Sequence, residues 1–288
     1  MEDFVDATAL EQLGEGRFGV RLRENWALWG PAGGYLCALV LRAAGASTTF
    51  TRPVSLAVQY LSVGRFEDAE LEVSSLRAGR RSEALRIDLR QQDRLLLTAQ
   101  LWAAGEANPG LQHDHAARFP IPDPATLRTW EALHPDAPVH PFMAHLEQRP
   151  ILGPDGDPDG DPDGRPDAVP AGEPELRSIF RFRPRARAED AFTDAARVTL
   201  LLDTFSWLAV YPAHGDGSAA DWIAPNLDFH FRFHRPTTPH EHLVLRARAD
   251  LAEGGLIASG GTIHDLDGSL LASGATQLFC TPRPERFR

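Results

Sequence analysis

Apolar and polar residues alternate with period two over several short stretches of the chain. The alternation is plainest where Leu227, Phe229, Phe231 and Phe233 take one parity and Asn226, Asp228, His230 and Arg232 the other. Such a pattern buries one face of an extended strand and leaves the other polar. Comparable runs predict strands over 54–62, 69–76, 82–91 and 94–102 early in the chain, and over 225–234, 242–250, 256–265 and 269–279 late in it. Ahead of each set lies a stretch apolar enough for a buried helix, 34–44 and 198–210. Superposing VSLAVQYL on PNLDFHFR pairs Leu56 with Leu227, Val58 with Phe229 and Tyr60 with Phe231, so apolar parity is kept between the two regions.

Between these regions the pattern breaks. Residues 105–175 are rich in Pro, His and Asp, and the run PDGDPDGDPDGRPD opposes any helix or regular ladder, which reads as a surface linker. Asp159, Asp161, Asp163 and Gly164 imitate the opening of a calcium loop, but Pro170 stands where that loop needs a bidentate Glu. A solvated acidic linker is the better reading. The chain thus divides into a first unit, 1–104, a linker block, 105–175, and a second unit, 176–288. A long apolar helix followed by antiparallel strands, repeated once, describes an α+β double hotdog: two tandem hotdog repeats, each an antiparallel sheet wrapped around a central helix. The two sheets are expected to pair as those of a dimer do.

Composition narrows the function. A net charge of −11 weighs against nucleic-acid binding, which needs clustered cations. Every basic residue is Arg, which removes Schiff-base catalysis and the phosphate-loop lysine. No apolar run approaches the roughly 20 residues of a membrane span, and the first residues lack the plan of a secretory signal, so a cytoplasmic protein with no membrane partner is expected. Cys37 and Cys280 stand apart, outside disulfide or metal spacing. His230, His234, His240 and His242 lack a third ligand, so no metal is expected. There is no GxSxG elbow, and GDGSA around Ser218 does not replace one. Exposed sheet edges favour a homo-oligomer.

WGPAGGYLCALVLRAAG over 29–45, RPVSLAVQYLSVG, LEVSSLRAGRRSEALRIDLRQQDRLLLTAQLW, IAPNLDFHFRFHRP and DGSLLASGATQLF, in that order, resemble the acyl-CoA thioesterase II family of double-hotdog enzymes. The resemblance implies hydrolysis of a fatty acyl-CoA to free acid and coenzyme A, a role in lipid metabolism, without metal or organic cofactor. It further implies that an Asp, a Thr or Ser, and a Gln of the second unit hold and activate a water. The Asp falls on Asp228. Counting from the turn at Asp267 and Gly268 puts Asp250 near the hydroxyl position and Thr276 at the Gln position, with Gln277 one residue later.

Each candidate has a chemical and a structural reading. Asp228 is either a general base, or nucleophile, or a surface acid paired with Arg232 or a neighbouring His. Gly33 and Gly34, followed by Tyr35, either offer helix N-terminal amides to the thioester oxygen or allow close packing. Gln277 and Thr276 either orient water or satisfy backbone groups, and Asp250 either replaces the missing hydroxyl or belongs to a turn. Arg77, Arg80 and Arg81 around Gly79 either meet the phosphates of coenzyme A or simply face solvent. Trp26, Trp29 and Trp207 either line an acyl pocket or fill the core. The first unit has the Gly pair at its helix but Ala57 opposite Asp228, and the second has Asp228 but no Gly pair at its helix, which suggests one centre built from both. The alternatives are a noncatalytic acyl-CoA or acyl-carrier binding protein and, less in keeping with the residues, a hotdog hydratase, whose Asp and His loop is not found.

Overall fold

The computed structural model describes residues 3–105, 110–137, 139–152, 172–185, 188–214 and 218–283. The calcium-like run at 159–164 and Pro170 lie outside them. The first unit carries α1 (Phe4–Ala7), β1 (Glu11–Gly14), β2 (Arg17–Arg21), α2 (Gly33–Ser47), β3 (Arg52–Tyr60), β4 (Asp68–Ala78), β5 (Ser82–Gln91) and β6 (Arg94–Ala104). Then come α3 (Trp130–Leu133), β7 (Leu146–Pro150), β8 (Glu175–Phe182), α4 (Ala191–Phe205), β9 (Trp222–Ile223), β10 (Asp228–Phe233), β11 (Leu243–Glu253), β12 (Leu256–His264), β13 (Leu270–Phe279) and β14 (Thr281–Pro282). No helix among the described residues is long and apolar enough to cross a membrane.

Twelve strands form one antiparallel sheet in the order β1-β2-β4-β5-β6-β3-β10-β13-β12-β11-β8-β7, while β14 and β9 make a separate ladder. Inward from either edge the plan is the same: a short outer pair, three long strands, then the strand that follows a central helix. The halves meet at β3 and β10, where Leu56 lies opposite Phe231 and Val58 opposite Phe229. All four side chains are buried, so the seam is closed by backbone bonds and apolar contact together. The double-hotdog architecture read from the repeat is the one observed.

Inside the sheet α2 and α4 lie against each other. Gly34 to Leu41 of α2 are buried without a break, as expected for a helix enclosed on all sides. Contact with α4 is close because Gly34 lacks a side chain: a Cβ there would stand 2.6 Å from Leu200 Cα and 2.6 Å from the Thr199 carbonyl oxygen. The far end of the pair is tied by Arg42, which donates to Thr193 and lies 3.7 Å from Asp190.

Three expectations need correction. Helix α4 starts at Ala191, not 198, because Asp190 caps it by accepting from the Phe192 and Thr193 amides. It ends at Phe205, and residues to His214 form 3-10 turns around Pro212. Strands β1, β2, β7 and β8 were not predicted; β1 is exposed throughout and so has no alternation to read. Strand β7 lies within the block read as linker, and Leu127 and Ile151 of that block pack with Ile179 and Val244 on the outer face of the second half.

The β7 edge is held by Glu147, 4% exposed, which accepts from Arg149 at 2.8 Å, Arg183 at 2.9 Å and Arg181. Burial alone pushes its carboxyl up, but the three guanidinium hydrogen bonds outweigh this and hold it at about 2. With its native value depressed, Glu147 contributes stability above the unfolded carboxyl range and loses it as pH falls through about 2. Glu147→Gln is expected to cost about 2 kcal/mol at pH 7, the buried-pair penalty reduced for partly exposed partners. The gap from wild type in urea titrations should shrink steadily as pH falls toward 2. Gly34→Ala should lower the urea midpoint by the equivalent of about 1–3 kcal/mol although Ala favours helix, since the added methyl meets backbone on α4.

Candidate active site

The last turn of α4 and the first turn of α2 meet around one carboxylate. Asp203, 7% exposed, accepts the Gly34 N–H on Oδ2 at 2.6 Å, and on Oδ1 the Tyr60 hydroxyl at 2.6 Å and Asn226 Nδ2 at 2.8 Å. Gly34 and Tyr60 come from the first half, Asp203 and Asn226 from the second. The N-cap of α2 is Ala32, which has no side chain to offer, so Asp203 takes one of the open amides from across the helix pair. Gly33 makes room for it: a Cβ there would lie 2.7 Å from Asp203 Oδ2. Burial raises the Asp203 carboxyl to about 6, and the bonds from Tyr60, Gly34 and Asn226 limit the rise.

A β-bulge turns Asn226 toward Asp203. His230 pairs with Ala275, and that register would set Leu278 opposite Leu227, yet Leu278 bridges to Asn226. Two residues, Leu227 and Asp228, therefore oppose Gln277. Phe229 stays inward as expected, but Leu227 is 42% exposed and Asn226 faces the helices, the reverse of the predicted parity. Asp228 accepts the Gln277 N–H on Oδ1 at 2.9 Å, satisfying an amide that the bulge takes out of the ladder. The Thr276 hydroxyl lies 2.6 Å from the Asp228 carbonyl oxygen and 2.9 Å from Asn226 Oδ1, and donates to these acceptors. With Oδ1 facing Thr276 and Nδ2 facing Asp203, the Asn226 amide is oriented by its neighbours.

The sequence candidates separate accordingly. Thr276 is buried on the helix side of β13, and the neighbouring Gln277 has the opposite parity. Asp250 is exposed on β11 and accepts from Arg248 Nε at 3.0 Å, away from Asp203. Tyr35 is fully buried, donates to the Ala7 carbonyl at 3.1 Å and stacks on Trp26, so it belongs to the core. Arg77, Arg80 and Arg81 are exposed on the β4–β5 hairpin. Ser82 pairs with Ala104, and Ala104 with Arg52, which puts that hairpin at the end of β3 remote from Tyr60, about 25 Å along a nine-residue strand. Trp26 and Trp207 are buried. His234 lies 3.0 Å from Ser273 Oγ, and no group of three or more His, Cys, Asp or Glu among the described residues is placed to hold a metal ion.

Asp203, Asn226 and Tyr60 were not singled out in the sequence. A signal existed for the first, since Asp203 interrupts the apolar run Leu200, Leu201, Leu202 and Phe205, where a carboxylate must find partners. The equivalent place at the other end of the helix pair carries no such group. Gly45 stands third from the end of α2 as Asp203 does in α4, and a Cβ on Gly45 would meet the Phe192 ring at 2.8 Å. The Phe192 ring takes the place of the carboxylate there. A cavity of about 80 Å³ opens there beside Ala191 and Phe233, and one of about 330 Å³ lies by Glu147, Arg149 and Arg181; neither is lined by Asp203.

The comparisons with known proteins agree with the fold. Residues 22–104 match the family model for the acyl-CoA thioesterase N-terminal domain, and residues 112–280 that for the C-terminal domain. No curated protein matches significantly. Among solved structures, a conserved hot dog protein of unknown function from Alicyclobacillus acidocaldarius superposes with a TM-score of 0.80 at 20% identity, covering 98% of both chains. A thioesterase II candidate from Thermobifida fusca gives 0.76 at 22% identity over 96% of this chain and 97% of its own. An acyl-CoA thioesterase II from Mycobacterium marinum gives 0.76 at 17% identity over 99% and 100%. At these identities the structures speak for the fold, and the two family matches, which follow the two halves of the sheet, speak for the lineage: the chain belongs to the acyl-CoA thioesterase family.

Proposed function

We propose that this protein hydrolyses a fatty acyl-CoA thioester to free acid and coenzyme A, with Asp203 as the general base. The observation that carries the reading is a buried carboxylate poised at about 6 and held by donors from both halves. A base with that value is ionised near neutral pH yet basic enough to draw a proton from water in the transition state. The resemblance calls for a carboxylate, a hydroxyl and a side-chain amide; Asp203, Thr276 and Asn226 supply those three groups, with the hydroxyl where the amide was expected.

Water donating one proton to Asp203 and the other to a Thr276 lone pair would aim its oxygen at the thioester carbonyl. As the C–O bond forms, the first proton passes to Asp203. Collapse of the tetrahedral intermediate breaks the C–S bond. A thiol with an ordinary value of about 8.5 leaves readily as thiolate, and the proton on Asp203 can return to it. The Gly34 amide is engaged by Asp203, so in this reading the positive end of α2 acts on the base and not directly on the substrate oxygen. Leu61 and Leu227, both exposed, border the site through the Tyr60 N–H to Leu227 carbonyl bond and suit an apolar acyl or pantetheine arm.

One observation favours a second reading, acyl-CoA binding without turnover: Asp250, at the position where the resemblance calls for a hydroxyl, is exposed and bonded to Arg248. Release of free thiol from a panel of acyl-CoAs separates the two. Asp203→Asn is expected to lower kcat by at least about a hundredfold while thermal melting stays cooperative, whereas Asp228→Asn should lose less than about tenfold in kcat and register mainly as lost stability. Wild-type turnover in Asp203→Asn would remove Asp203 from the chemistry. Because the base must be ionised, kcat/KM should rise with pH through a midpoint of about 6, set by the native Asp203 carboxyl.

A further inference from the structure

Tyr60 ends β3, and its hydroxyl stands between two buried groups from different helices. It lies 2.6 Å from Asp203 Oδ1 on α4 and 3.0 Å from Cys37 Sγ on α2. The direction of these bonds follows from the chemistry. An ionised carboxylate only accepts, so the single phenolic proton points at Asp203. Burial raises the Cys37 thiol, which therefore keeps its proton and donates it to the free lone pair of the Tyr60 oxygen. The result is a directed chain, Cys37 to Tyr60 to Asp203, that begins in the first repeat and ends on the second.

We propose that Tyr60 is a positioning residue: its hydroxyl, backed by the Cys37 thiol, fixes the Asp203 carboxylate and favours its ionised state. The inference rests on the reading of Asp203 as the base. A packing role alone asks only for a ring, and the last residue of β10, Phe233, is such a ring at the opposite end, where Phe192 and Gly45 stand in place of a carboxylate site. The hydroxyl is found only at the end that holds Asp203. Facing Asp203, the titratable groups are Tyr60 from β3 and Cys37 from α2, and the remaining donors, the Gly34 amide and Asn226 from the bulge before β10, carry no charge. Burial keeps the phenol protonated as well, so Tyr60 acts as a neutral donor across the working pH range.

The test uses the full chain with three changes: Tyr60→Phe, Cys37→Ala, and replacement of all three tyrosines by 3,5-difluorotyrosine, which keeps the side-chain shape but has a more acidic phenol. In Tyr60→Phe the acid limb of kcat/KM should move up from about 6 by roughly one to two units. Activity should fall by roughly fivefold to fiftyfold at pH 6 and recover to within a few-fold at pH 9, with KM little changed. Cys37→Ala should shift the limb the same way by less, and fluorination should shift it down. Infrared titration of the carboxyl band that Asp203→Asn removes gives the same midpoints without substrate. An unchanged midpoint in Tyr60→Phe and in the fluorinated protein, with Asp203→Asn inactive, overturns the role of Tyr60 alone. Full turnover in Asp203→Asn overturns the base assignment and this inference with it.

Discussion

The structure depends on a contact between two helices that approach closely enough for one to cap the other. Gly34 has no side chain, so α2 comes within backbone contact of Thr199 and Leu200 on α4, and at that separation the Asp203 carboxylate reaches the open amide of Gly34. Close packing and the polar bond need each other. A larger residue at Gly34 would part the helices, and without Asp203 an amide in the first turn of an uncapped helix would be buried with no acceptor. The sheet seam works to the same end. Pairing of β3 with β10 sets Tyr60 and Asn226 on neighbouring strands, so two further donors converge on the same carboxylate.

Duplication explains why the donors come from both halves, and divergence explains why there is one such centre. A pair of equivalent repeats offers two places where one helix begins beside the end of the other. At the first, Gly34 faces Asp203; at the second, Phe192 faces Gly45. The small residue is kept in both, on opposite partners, so the helix crossing stays tight at each end. What differs is whether the facing side chain is a carboxylate or a ring. Without a carboxylate between the helices, that second contact asks for no acceptor or donor of its own, and the polar groups near it, Asp194 with Thr237 and Arg42 with Thr193, bond elsewhere.

Much of the fold was legible because long buried strands impose alternation. Strand β5 occupies the span its pattern predicts, and the Phe229 to Phe233 run is seated as the parity requires. The outer hairpins were not legible, since an edge strand such as β1, exposed along its length, has no buried face to mark it. The site was less legible for a related reason. One inserted residue turns Asn226 inward and Leu227 outward, and parity counted along the chain cannot register a bulge. Counting left Thr276 and Gln277 as neighbours of unknown parity, and only the face of β13 shows that Thr276 is the one on the helix side. The hairpin arginines show a further limit: motif order says nothing about which end of a strand a turn occupies, and the register sets Arg77, Arg80 and Arg81 at the far one.

The burial that raises the Asp203 carboxyl works against the fold at neutral pH. Its native value is raised to about 6 above the unfolded carboxyl range, so folding favours the protonated form. That contribution is complete below the unfolded value and lost as pH rises through about 6, so the ionised form is the less stable one. The Gly34 amide, the Tyr60 hydroxyl and the Asn226 amide oppose this by bonding the charged form, each lowering the value that burial alone would give. Fewer donors would leave the carboxyl more often protonated at neutral pH, and fuller hydration would return it toward the ordinary carboxylate range. The number of donors that two repeats can bring to one oxygen pair therefore sets both how stable the closed helix pair is and the pH above which its carboxylate is ionised.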